Sequence, residues 1–485
     1  MTTLLHLPRP VGRPLRLRHR LRRLGTAVAL AAIGALALPS TAAAQRADLE
    51  KIIQRRVLAN GLEVIVVENH GVPIATLEID VKNGAFTQPP EFAGLAHLYE
   101  HMFFKASKAY PNPEALLGRA SELGAVFNAS TQEERVNYYL TLPADSVEGG
   151  LRFLAASLRE PLFREDDLAR EKEVVLGEYD RNEASPGFEL QNEMTRRLYP
   201  GNFSRKNTIG DRDVIRTVTP AKMREIQRRY YVPNNCALIV TGDVQPAQVF
   251  ALAERIYGDW TRGPDPFVAD PVPAIPALTK NEAVVTEASV SAVSVLLQWQ
   301  GPSVRKDPGS TYAADVFSDA LNTPGSAFQR RLVDSGLWEG VVVNYYTLDQ
   351  TGPITISGQT SPERLREAMA ALEAEVEKLD DPGYFTADEL EAVKAQRAVE
   401  TAFGIERTSG LTHTIGFWWA VADLEYFMNY VDYMAKQTPA DLRAYAARYI
   451  VGKPRVAGVL LAPQARQALQ LSIEELSKSA RGATP

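Results

Sequence analysis

Beyond about residue 50 the apolar positions follow two periods, one of strands and one of helices. Leu62-Glu63-Val64-Ile65-Val66-Val67 and Ala75-Thr76-Leu77-Glu78-Ile79-Asp80-Val81 read as strands, the second with period-two alternation. Val126 to Asn128 and Arg135 to Leu142 add two more, separated and followed by helices. Glu91 to Phe104 is mostly apolar at helical spacing and starts just after Pro89-Pro90, which predicts a helix entry there. Asp166 to Glu183 predicts a charged helix with Leu168, Val175 and Leu176 toward the core.

The pattern then repeats. Phe163 to Lys172 is echoed by Phe385 to Lys394, an offset of 222. Thr219-Pro220-Ala221 leading into Arg229-Tyr230 is echoed by Thr438-Pro439-Ala440 and Arg448-Tyr449, an offset of 219. Near-constant spacing predicts duplication of one α+β unit. Pro264, Pro266, Pro271, Pro273 and Pro276 mark a linker between the copies. The expected division is 45–262, a proline-rich linker at 263–282, and a second homologous domain at 283–485.

Residues 1–44 are a different material. Seven arginines and no acidic residue precede the apolar run Leu24 to Leu38, and Ser40-Thr41-Ala42-Ala43-Ala44 offers a small-residue cleavage site. This predicts a secretory signal peptide, and so a periplasmic or secreted bacterial protein; an uncleaved anchor is the alternative. The apolar run is too short and alanine-rich for a comfortable membrane span, so no stable insertion is expected after processing. Cleavage lowers Lys+Arg from 53 to 46 against 59 acidic residues and moves the net charge from −6 to −13. An acidic chain without a basic stripe is not expected to bind nucleic acid. The single cysteine, Cys236, excludes an internal disulfide and lies in an apolar strand. An apolar fraction of 45% with 23% charged residues is that of a globular protein with large cores.

Chemistry concentrates at His97-Leu98-Tyr99-Glu100-His101, which holds two of the six histidines. Four residues apart on a helix, the two imidazoles stack one turn over the other and can share a metal ion. Glu100 reaches the same side and could hold a water. The order inverts the commoner zinc-protease His-Glu-x-x-His. Catalytic zinc takes a third protein ligand. Glu171 and Glu178, seven apart on the charged helix, share a face, so one could ligate while the other orients. The alternatives are an amphipathic helix with two polar residues in solvent and a solvated charged face.

His97, Glu100 and His101 followed by Glu178 resemble the pitrilysin, insulin-degrading enzyme and mitochondrial processing peptidase family. Gly94-Leu95-Ala96 leads into the motif and Met102-Phe103-Phe104-Lys105 leads out, and Glu171 stands where the family has a further glutamate. Phe127-Asn128-Ala129-Ser130-Thr131, Asn137-Tyr138-Tyr139 and Asn234 to Asp243 are similar to family strands. The resemblance implies two homologous α/β-sandwich domains, each a mostly antiparallel sheet packed with helices. It implies one Zn2+ per chain on His97, His101 and Glu178, with Glu100 as general base and Glu171 in support. It also implies peptide substrates lying as an added strand against Phe127, Asn128, Ala129 and Ser130. The expected activity is that of a zinc metalloendopeptidase; a non-catalytic scaffold or assembly subunit is the alternative.

The copies differ in chemistry. At an offset of 222, His97, Glu100 and His101 correspond to Asp319, Asn322 and Thr323, so only the first half carries the motif. Active members of the family usually supply an arginine and, seven residues on, a tyrosine from the second half. Aligned on Gly336-Leu337, those places hold Leu332 and Glu339, while Arg331 and Trp338 sit one residue off. The expected partner is therefore a homologous chain that lacks the zinc motif, giving a heterodimer. The second choice is a homodimer in which Arg331, Tyr345 or Tyr346 substitutes.

Overall fold

The alternating and continuous apolar runs become eleven strands in two sheets in the computed structural model, which describes residues 50–478. The expected signal segment, 1–44, lies outside them. The first sheet is built from β1 (Ile53–Val57), β2 (Glu63–Glu68), β3 (Ile74–Val81), β4 (Val126–Thr131), β5 (Val136–Pro143) and β6 (Cys236–Gly242). The second uses β7 (Glu282–Glu287), β8 (Val293–Gln300), β9 (Gly340–Tyr345), β10 (Pro353–Thr360) and β11 (Val456–Leu461). Their orders are β1-β2-β6-β3-β5-β4 and β7-β11-β8-β10-β9. Apart from the extra β1, the orders are the same. Each sheet also has one parallel pair, β2 with β6 and β7 with β11, among antiparallel neighbours. The fold is α+β and duplicated.

Seven helices position the site and join the halves: α1 (Leu95–Phe103), α2 (Val147–Arg159), α3 (Glu165–Glu183), α4 (Phe188–Leu198), α5 (Pro308–Asn322), α6 (Ala387–Glu406) and α7 (Thr408–Val421). One face of the first sheet packs Leu77, Ile79 and Leu140 against Leu98 and Met102 of α1 and Leu151 and Leu154 of α2. Its other face, with Ile65, Val67 and Ile239, is covered by Leu411, Ile415 and Trp419 of α7. The exchange is mutual: Leu190, Met194 and Leu198 of α4 cover Val284, Val456 and Leu460 of the second sheet. Burial of each such side chain contributes roughly 1.5–3 kcal/mol, so each half depends on a helix from the other.

Close approach sets one of these contacts. A Cβ on Gly416 of α7 would overlap the carboxyl group of Asp80 on β3, so any larger residue there would have to displace that buried side chain. Around it lies a buried polar seam. Glu78 bonds His413 of α7 and accepts from Asn137 at 2.9 Å, while Arg135 lies 3.4 Å from Asp80.

Three boundaries differ from the expectations. The helix expected over 91–104 is split into a short 3-10 turn at Pro90–Phe92 and α1, because Gly94 takes φ 90° between them. β4 runs on to Thr131, where its ladder with β5 ends at Val136. The proline-rich stretch includes a short helix, Pro266–Ala269. Among the described residues no helix is long and apolar enough to cross a membrane.

Candidate metal and catalytic site

The apolar stripe of α1 fixes the direction of its polar one. Leu95, Leu98, Tyr99 and Met102 occupy i, i+3, i+4 and i+7 and are buried, with Tyr99 stacked on Tyr231 at 3.8 Å. His97, Glu100 and His101 therefore share the remaining face, toward α3 and the end of β4. The helix start is tied down by Gln88, whose Oε1 accepts the amide of Ala96 at 3.0 Å. On α3, burial of Leu168, Val175 and Leu176 turns Glu171 and Glu178 toward α1.

The structure brings His97, His101 and Glu178 together, with one ligand atom from each lying within 4.8 Å of the others. The His97 and His101 Nε2 atoms are 3.3 Å apart, and Glu178 Oε2 is 3.5 Å from the first and 3.7 Å from the second. Donors held about 2.0–2.1 Å from one tetrahedral centre are about 3.3–3.4 Å apart, so the triangle fits a zinc-sized ion. Burial and the neighbouring His101 push His97 down to about 3, which keeps it neutral with a lone pair for a metal. The two Nε2 atoms face each other at 3.3 Å, a separation at which one ion can accept a lone pair from each. The donor set fits the metal.

Glu171 stands beside this triangle. Its Oε2 is 3.1 Å from His101 Nδ1 and its Oε1 is 2.6 Å from Lys105 Nζ. Burial would raise this carboxyl group, but the bonds from His101 and Lys105 outweigh it and hold it below its ordinary value. With Nδ1 donating to Glu171, His101 presents the Nε2 lone pair to the triangle.

Glu100 lies next to the triangle and is buried. Burial raises its carboxyl group above the ordinary value, against the opposing pulls of Thr131 and His101. Thr131 Oγ1 donates to Glu100 Oε2 at 2.7 Å. Glu100 is thus buried, hydrogen-bonded on one oxygen and biased toward taking up a proton.

The segment expected to meet substrate forms the outer strand, β4, and its side chains divide by face. Phe127 packs inward, with its ring 5.7 Å from those of Phe104 and Phe153, and Ala129 is buried. Ser130 donates to Asn137 at 2.6 Å, and Asn128 is exposed. What β4 offers outward is therefore backbone: among the described residues no side chain bonds its free edge.

Residues of the second half at or beside the places of the family's arginine and tyrosine are engaged within that half. Trp338 and Leu332 are core residues, with Trp338 Nε1 donating to Ala368 O at 3.1 Å. Arg331 pairs with Glu375 at 2.8 Å, and Tyr345 donates to Pro302 O at 2.8 Å. Asp319 forms a two-pronged ion pair with Arg397 of α6, at 2.5 and 2.6 Å, in the place that His97 holds in the first half. Lys105 and Thr131 were not anticipated as site residues. The signal available for Thr131 was strand alternation, which puts 127, 129 and 131 on one face.

Both halves of the chain match known protein families. Residues 63–210 match the family model for insulinase, peptidase family M16, and 217–397 match the model for the peptidase M16 inactive domain. An uncharacterized zinc protease of Bacillus subtilis, YmxG, is 22% identical over 361 residues, covering 74% of this chain and 86% of that protein. The chain spans 22% of the length of an insulin-degrading enzyme-like protein of Arabidopsis thaliana that it also matches. Among solved structures, a protease from Helicobacter pylori superposes with a TM-score of 0.76 at 21% identity, over 84% of this chain and 99% of that one. The periplasmic protease PqqL from Escherichia coli superposes with a TM-score of 0.74 at 18% identity, over 90% of this chain and 50% of that one.

Proposed function

The chain belongs to the M16 (insulinase) peptidase family, and from that premise we propose that it is a zinc-dependent endopeptidase acting on peptides or unfolded segments. The observation that carries this reading is the meeting of three ligand atoms from two helices beside a buried carboxyl group. His97, His101 and Glu178 would hold one zinc ion per chain. Zinc so bound lowers the pKa of a coordinated water and polarises a carbonyl group.

The chain's own residues do the rest. Glu100 takes a proton from the water as its oxygen bonds to the scissile carbonyl carbon. It returns that proton to the amine as the C–N bond breaks. Glu171 fixes the ring of His101 and is itself fixed by Lys105. The substrate lies extended along the open edge of β4, where the backbone from Phe127 to Ser130 pairs with it and tolerates varied sequences. Glu100→Gln is the direct test. The variant keeps its zinc and loses turnover, because an amide can hold the water but cannot accept its proton; cleavage near the unaltered rate would refute the assignment.

We also propose export, with cleavage near Ala44, and a heterodimer with a homologous chain that supplies the missing arginine and tyrosine. The burial of Leu332 and Trp338 and the pairing of Arg331 with Glu375 support the second point. The zinc-loaded chain alone should then be nearly inactive and be rescued by a co-expressed homologue. Strong hydrolysis by the homogeneous chain would instead favour the homodimer.

A further inference from the structure

Thr131 is the last residue of β4 and the point where the free edge meets the chemistry. On the site face its hydroxyl donates to Glu100 at 2.7 Å. The backbone on either side is fixed independently. Ser130 is bonded to Asn137, which donates to Glu78 on β3. Beyond Thr131, the hairpin closes with Gln132 N donating to Arg135 O at 2.8 Å, and Glu133 O accepts from Phe86 N at 2.9 Å. The hairpin tip is bolted to the second half. Lys206 Nζ bridges Glu133 at 3.1 Å and Thr351 O at 3.0 Å. Glu134 accepts the backbone N–H groups of Asp349 at 2.8 Å and Gln350 at 2.6 Å. The Thr131 hydroxyl is thus a donor held from both sides, aimed at a buried carboxyl group on a different element.

A carboxyl group with one oxygen committed to a fixed donor cannot rotate freely, and its other oxygen is reserved for the water. We propose that Thr131 is a positioning residue for catalysis, holding the Glu100 carboxylate in register with the strand on which substrate lies. The inference rests on the peptidase reading given above. It ties the second half to catalysis as well, because that half holds the hairpin that holds Thr131.

The test compares Thr131→Val, which keeps the shape and removes the donor, with Thr131→Ser, which restores it. Both are assayed with fluorescein-labelled casein as an unfolded substrate. The active form is used, with the co-expressed homologue if turnover requires it. Loss of a hydrogen bond to a charged group should lower kcat roughly tenfold to a hundredfold in Thr131→Val, with KM within about twofold. Zinc content should be unchanged, as should casein affinity measured in a Glu100→Gln background. Thr131→Ser should recover most of the lost kcat, and Thr131→Ala replaces Thr131→Val if the valine variant fails to fold. An unchanged kcat in the variant without the donor would overturn the inference, as would a serine variant as impaired as valine, while an inactive Glu100→Gln leaves the peptidase reading intact. Turnover by Glu100→Gln at the unaltered rate, or no turnover by the unaltered protein in either form, would sink both.

Discussion

His101 uses both of its ring nitrogens, one toward the metal triangle and one toward Glu171. That division assigns different consequences to the two glutamates of α3. Glu178→Ala removes a ligand atom and should abolish stoichiometric zinc binding. Glu171→Ala leaves all three ligand atoms but frees the ring of His101 and strands Lys105, so zinc affinity should fall roughly tenfold to a hundredfold. Competition with a chelator of known affinity measures both; zinc retained by Glu178→Ala and lost from Glu171→Ala would exchange the roles. The pairing of His97 with His101 was legible in the sequence because spacings of three and four are local geometry. So was the stacking of Glu171 and Glu178. The bond from Thr131 to Glu100 was not, since it spans 31 residues and depends on where α1 lies across the sheet.

The two outer strands, β4 and β9, hold the same place in their sheets but differ in what meets their backbones. In the second half, Asn322 of α5 donates to Val343 O at 2.7 Å and accepts from Val343 N at 2.8 Å. Gln329 donates to Val341 O at 3.1 Å. These side chains occupy groups that an added strand would need. Asn322 stands at the position corresponding to Glu100, so one site of the duplicated unit bears a carboxyl group beside an open edge and the other bears an amide that closes it. The double variant Asn322→Ala, Gln329→Ala loses these three hydrogen bonds and a fourth, from Gln329 to Leu321 O, each worth roughly 0.5–1.5 kcal/mol, and exposes a strand edge. Its melting temperature should fall and light scattering should reveal self-association. A variant as stable and as dispersed as the parent would show that the amides seal nothing. The departure from the zinc motif at 319–323 was legible as sequence. The closing of the edge was not, because strand alternation does not say which helix side chain reaches a backbone.

Across the whole molecule, the repeat offsets gave the duplication but not the exchange of α4 and α7 between the halves. Both helices have apolar faces that would suit either sheet, and only the folded chain decides between them. A further contact between the halves contains a group that titrates. Glu134 is buried between the β4–β5 hairpin and the segment linking β9 to β10, and burial pushes its carboxyl group up to about 7 against Lys206 and the two backbone N–H groups. Lys206, Glu133 and Asp349 are the charged groups around it. A folded-state value above the ordinary 4.5 means that the native protein binds this proton more tightly than the unfolded chain does. The stabilisation is complete below about pH 4.5 and is lost as pH rises through about 7, a change on the order of 3 kcal/mol. Glu134→Gln cannot titrate, and other groups contribute equally to both proteins. From pH 5 to pH 8 the difference in unfolding free energy should therefore shift toward the variant by roughly that amount. Denaturant unfolding at several pH values measures it, and parallel profiles for the two proteins would show that Glu134 keeps an ordinary carboxylate's proton affinity in the folded protein.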